Sequence, residues 1–93
     1  MKNSCIISRV SLVDTANLQT RYLYTFNFNN RKIADKFDVF LYRDFNLHLA
    51  HKTFDPDNSL VTIELSVPPS PQLDVFYLIN EFNKNHRVKF SLK

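Results

Sequence analysis

Apolar and polar residues alternate with a period of two in several stretches of the chain and recur at helical spacing in two others. Cys5 to Val13 (CIISRVSLV) is rich in β-branched residues and predicts a strand. Arg21 to Asn29 alternates strictly, with Tyr22, Tyr24, Phe26 and Phe28 on one face, and predicts a second strand after a polar loop over Asp14 to Thr20. Asn30 to Asp44 sets Ile33, Ala34, Phe37, Phe40 and Leu41 at the spacing of one helix face, with Lys32, Asp35, Lys36 and Arg43 mostly elsewhere on the wheel. Asn46 to Phe54 and Ser59 to Val67 flank Asp55-Pro56-Asp57-Asn58, a tetrapeptide suited to a type I turn, and form the firmest hairpin of the chain. Ser70-Pro71 supplies an N-cap hydroxyl followed by proline at the first helical position, so a second helix is expected to start there, with Val75, Leu78, Ile79 and Phe82 as its stripe. Arg87 to Lys93 alternates again and predicts a last strand.

The predicted order is β-β-α-β-β-α-β, a single α+β domain over residues 1–93 with an antiparallel sheet and two helices on one face. From the second strand onward it resembles the β-α-β-β-α-β order of a ferredoxin-like sandwich, with an extra N-terminal strand. That strand creates a conflict. A hairpin places it beside the second strand, which in the ferredoxin-like arrangement is central and already has neighbours. It must pair elsewhere, for example with a second copy, or the topology must depart from that pattern. Asp38-Val39-Phe40 recurs as Asp74-Val75-Phe76, but Val75 lies on its helix's core stripe and Val39 opposite its own, so the echo reads as chance.

Composition narrows the function. The 93 residues include 44% apolar side chains and nine Phe, the profile of a folded domain. No long apolar run or leader-like pattern is present, and a lone Cys5 can form no internal disulfide, so a cytoplasmic protein without membrane attachment is expected. Glycine is absent, which excludes the phosphate-cradling loops, dinucleotide fingerprints and nucleophile elbows that depend on it, including the phosphate loop of ferredoxin-like acylphosphatases. The wealth of Asn, Lys and Phe also suits a gene poor in G and C, as in a phage or mobile element.

The remaining chemistry is sparse. His48 and His51 stand three apart, which on a strand sends them to opposite faces, and His86 is distant in sequence, so no metal site is expected. The Asp55 turn lacks the Gly and Glu of a calcium loop, having Leu60 and Ser66 at those positions. Cys5 reads as a structural, partly buried cysteine, and the two Glu residues, Glu64 and Glu81, offer little for paired-carboxylate catalysis. A protein with no enzymatic activity, no cofactor and no small-molecule substrate is expected.

Two binding surfaces are readable. Val39 and Tyr42 on the first helix, and Leu73, Phe76 and Tyr77 on the second, lie off the core stripes and predict a protein interface, with a homodimer as one form of it. Alternatively, the sheet face away from the helices, bearing Arg21, Thr25, Asn27, Thr62, Glu64, Arg87, Lys89 and Lys93, is polar and basic. With Lys52 it would give phosphate contacts to nucleic acid through Arg21, Lys52, Arg87 and Lys89. Leu23 to Phe28 resembles the first short motif of an RNA-recognition motif, but Ser59 to Val67 lacks the Gly and stacking aromatics of its second. The net charge of +3 is modest, and the edge of the first strand, which could add to another sheet, is an alternative to the helix faces for binding a protein, so protein binding is the leading expectation.

Overall fold

The computed structural model describes residues 2–14, 16, 19–47, 51–68 and 73–93. Its elements run β1 (Asn3–Asp14), β2 (Gln19–Phe28), α1 (Arg31–Phe45), β3 (His51–Asp55), β4 (Leu60–Val67), α2 (Val75–Asn83) and β5 (Val88–Leu92). The element order is the expected one. The strand order in space is β3-β4-β2-β1-β5, which differs from the ferredoxin-like order.

The difference lies in one strand. β1 does form a hairpin with β2, in an unbroken register from Cys5↔Phe28 to Asp14↔Gln19, and it occupies the place beside β2 that the last strand would otherwise fill. β5 moves out by one position and pairs with β1 in parallel, from Asn3↔Val88 to Ile7↔Leu92. The sheet is therefore mixed rather than antiparallel throughout. The hairpin prevails because a short connection lets β1 pair with β2 at a smaller loop-closure cost than a return from the end of the chain.

Each helix is held by its ends. The Asn30 side chain accepts from Lys32 N at 2.9 Å and from Ile33 N at 3.3 Å, while Asn46 closes α1 in the left-handed conformation at φ 53°. α2 starts later than its Ser70-Pro71 signal predicts, and those two residues lie outside the described ones. Its cap is Asp74, whose carboxylate accepts from Tyr77 N at 3.0 Å. The β3–β4 hairpin forms around the expected turn. Asp55 accepts from Asp57 N at 3.0 Å and from Asn58 Nδ2 at 2.8 Å, and Ser59 takes the left-handed conformation at φ 55° in the absence of a glycine.

One core fills the space between sheet and helices. Tyr24, Phe26 and Phe28 of β2, Val61, Ile63, Leu65 and Val67 of β4, and Cys5 and Ile7 of β1 are buried against Ala34, Phe37 and Leu41 of α1 and Val75, Leu78 and Phe82 of α2. Ile79 is partly buried at its margin. Phe37 is the hub, with ring centroids 5.0 to 5.1 Å from those of Phe26, Phe28 and Phe82. Leu92, expected on the covered face, is 57% exposed, in an open cleft beside Val75 and Phe76 at the start of α2.

Candidate protein interface

The predicted interface residues do not form one patch. α1 and α2 touch through Phe37, Phe40 and Phe82, and residues of both helices line a groove of about 690 Å³. Val39 and Tyr77 stand in this groove above Phe40, Phe45 and Phe82, with Lys36, Arg43 and Glu81 along its rim. Tyr77 meets the Phe45 ring edge-on at 6.2 Å. Phe76 faces the other way, into a cleft of about 510 Å³ that it shares with Leu73, Ile7, Tyr24 and Leu92. Leu73 is partly buried against the core, which reduces its share of the surface. Tyr42 follows Asp38 by four residues, and Asp38 reaches Lys52 of β3, so Tyr42 sits on the α1 flank turned towards β3 and away from the groove.

The basic residues are also dispersed. Lys52 lies on the helix side of β3, where its ammonium meets Asp35 at 2.6 Å and Asp38 at 3.3 Å. Burial alone would lower the Lys52 pKa, but the hydrogen bonds it donates to the two carboxylates, with their charge, outweigh it and hold the pKa above the ordinary value. A lysine so paired has little charge to offer phosphate. Arg21 donates through Nε to Ser66 Oγ at 3.1 Å and through NH2 to Ser66 O at 3.3 Å, near the far end of β2. Arg87 and Lys89 lie at the opposite end of the sheet, around a shallow depression with Lys2, Asn3, Asn83 and His86.

The sequence reading offered the edge of the first strand but not the side chains on its open face, which are also exposed. β1 carries Ile6, Val10 and Leu12 on the open face of the sheet, between Arg21 on β2 and Lys89 on β5, so that face is divided by an apolar stripe. Val10 is 52% and Leu12 45% exposed, and Leu23 lies beside Val10 across the ladder. The signal was present: both parities of the Cys5 to Val13 alternation contain apolar residues, as in a strand with two faces to cover.

β1 also has an unpaired edge. β5 ends opposite Ile7, and Lys93 N donates to Ile7 O at 2.8 Å. Among the described residues no strand pairs with that side of β1 further on. Backbone groups of alternate residues point to the same side, so the N–H and C=O of Arg9, Ser11 and Val13 face outward. Together with β2 this half of β1 forms an arm, with Val13 64% exposed at its end and the Arg9 guanidinium stacked over Tyr22 at 4.8 Å from the ring centroid.

Of the reactive side chains, Cys5 is fully buried, and burial pushes its thiol well above the ordinary range despite a backbone hydrogen bond at Asn27. His51 lies exposed on β3, and His86 stacks on Phe82 at 4.4 Å beneath the helices, while His48 lies outside the described residues. Among the described residues, no three His, Cys, Asp or Glu side chains gather to hold a metal ion, and no helix is long and apolar enough to cross a membrane. No family model, curated protein or solved structure matches the chain.

Proposed function

We propose that the chain is a small non-enzymatic protein-interaction module. The observation that carries this reading is the β1–β2 arm, where an unpaired strand edge and exposed Val10, Leu12 and Val13 occur together. A free edge with apolar side chains beside it is a template for strand addition, and proteins that do not use such an edge commonly blunt it with charge, proline or a bulge. The groove bearing Val39 and Tyr77, lined by charged as well as aromatic side chains, is a second candidate surface. Capture from the native host with the wild type and with Val10→Thr/Leu12→Thr tests the reading. Both positions are exposed and threonine suits a strand, so the variant should fold. A protein held by the wild type and lost with the variant is the expected outcome; identical capture by both refutes a role for the arm.

One observation favours a second reading, phosphate contact with nucleic acid. Lys2, Arg87 and Lys89 gather with no acidic side chain among the residues lining their depression. On this reading Arg87 and Lys89 supply the contacts, Arg21 adds little and Lys52 none. Binding should then weaken steeply between about 50 and 200 mM salt. Fluorescence anisotropy with single- and double-stranded DNA and RNA measures it, and Arg87→Glu/Lys89→Glu should abolish it. Salt-independent or absent binding removes the reading.

A further inference from the structure

We propose that the groove lined by both helices and the basic depression at the start of β5 form one track for single-stranded nucleic acid. Phosphates are held at Lys2, Arg87 and Lys89, and a base stacks among the groove aromatics. This rests on the phosphate-contact reading and specifies its ligand; it does not involve the β1 arm.

His86 joins the two parts. It lines both the groove and the depression, so a strand that leaves one enters the other at the imidazole. The surrounding structure holds it there. The Asn83 side chain donates to Val88 O at 3.0 Å and accepts from Val88 N at 3.2 Å, which clips the turn carrying His86 and Arg87 between α2 and β5. Phe82 covers one face of the imidazole, with centroids 4.4 Å and planes 25° apart, and among the described residues no second ring stacks on it.

Charge assigns each part its ligand group. Lys2, Arg87 and Lys89 have no carboxylate within ion-pair distance among the described residues, and no acidic side chain lines their depression. The groove is balanced instead. Glu81 pairs with Lys84 at 2.8 Å and Asp44 with Arg43 at 3.7 Å, while Asp35 meets Lys52 at 2.6 Å. Its aromatic lining includes Phe40, Phe45 and Tyr77, the last 55% exposed. A phosphodiester carries charge and a base does not, so the depression suits the first and the groove the second. At about 690 Å³ the groove lies within the range of sites for small organic groups. Lys36 shares the groove with His86, and its charge helps to hold the imidazole neutral; a phosphate passing this junction relieves the like-charge contact. A duplex keeps its bases stacked inward and offers none to the groove, whereas a single strand presents aromatic faces of any sequence.

Fluorescence anisotropy with a labelled oligothymidylate and with a duplex of the same length tests the track. Stacking of one base alone should favour the single strand about fivefold or more, and Tyr77→Ala should remove that advantage without changing duplex binding. Tyr77 is exposed, so the variant keeps the fold. With three phosphates neutralised on a single strand, log affinity should fall against log salt with a slope of about −2. Arg87→Glu/Lys89→Glu should abolish binding. Proton NMR gives a second readout: saturating oligothymidylate should raise the His86 titration midpoint, because a phosphate at the junction favours the imidazolium.

Equal binding of single strand and duplex, both indifferent to Tyr77→Ala, overturns the track and leaves the phosphate-contact reading standing on Arg87 and Lys89. Thymidine monophosphate that competes as well as the oligonucleotide, compared per phosphate, makes the ligand a free nucleotide and overturns the strand. A captured protein lost with Tyr77→Ala, with no oligonucleotide bound, assigns the groove to a protein and overturns it too. Absence of binding to any nucleic acid overturns both the track and the phosphate-contact reading.

Discussion

Phe82 of α2 meets Phe37 of α1 edge to face, with ring centroids 5.1 Å apart and planes at 88°. Through this contact the two helices share one core. Phe82 is 2% exposed and also approaches Phe40 and Phe90, so Phe82→Ala should cost about 3 to 5 kcal/mol. Denaturant unfolding measures the loss, and a value below about 1 kcal/mol would show that the site collapses without penalty.

Asp74, not Ser70, caps the described start of α2. Asp74→Ala should therefore destabilise the protein by about 1 kcal/mol, with Asp74→Asn nearly silent because the amide oxygen still accepts from Tyr77 N. A Ser70→Ala variant serves as the comparison. A larger loss there than at Asp74 would move the effective cap upstream.

Ser59 holds a left-handed conformation that favours glycine. Ser59→Gly relieves strain of about 1 to 2 kcal/mol and loses part of that to the greater freedom of an unfolded glycine, so a net gain of about 0.5 to 1 kcal/mol is expected in thermal or denaturant unfolding. A loss of stability would mean that the serine hydroxyl holds the turn.

His86 is held below the ordinary histidine pKa, first by burial and then by the charge of Lys36. Its proton NMR titration midpoint should fall below about 6.5, and Lys36→Gln should move it upward. The unfolded chain takes up the proton before the folded one does. The stability contributed by neutral His86 is therefore complete above the unfolded pKa and is lost as pH falls towards the folded one. A midpoint at or above 6.5 would count against that environment.

Periodicity revealed the faces of the elements more readily than their neighbours. The alternation of Tyr22 to Phe28 and of Val61 to Val67 identified what β2 and β4 bury, and the Val75, Leu78, Phe82 stripe identified the inner face of α2. Nothing in the Cys5 to Val13 pattern says that β1 separates β2 from β5, because that outcome depends on competition between two partners for one edge of β2. The candidate interface was legible to the same degree. Wheel positions marked Val39, Tyr42, Phe76 and Tyr77 as exposed, but the tilt and separation of the helices decide that Val39 and Tyr77 share a groove while Tyr42 and Phe76 look elsewhere. The exposed stripe of β1 went unread because an apolar residue on either face of a strand looks alike until the layers are known.

The insertion of β1 has a consequence for the order of events during synthesis. β2, β3 and β4 can pair with nearby segments as they emerge, but β5 has only β1 as a sheet partner, across nearly the whole chain. Contacts between such distant segments raise contact order and tend to form late. Until the last strand arrives, the outer edge of β1 is open from Asn3 onward, and a nascent or shortened chain ending before Arg87 offers a long aliphatic template to any extended segment it meets. The position of β1 thus makes aggregation during translation, rather than loss of the finished fold, the principal hazard of damage to the final strand.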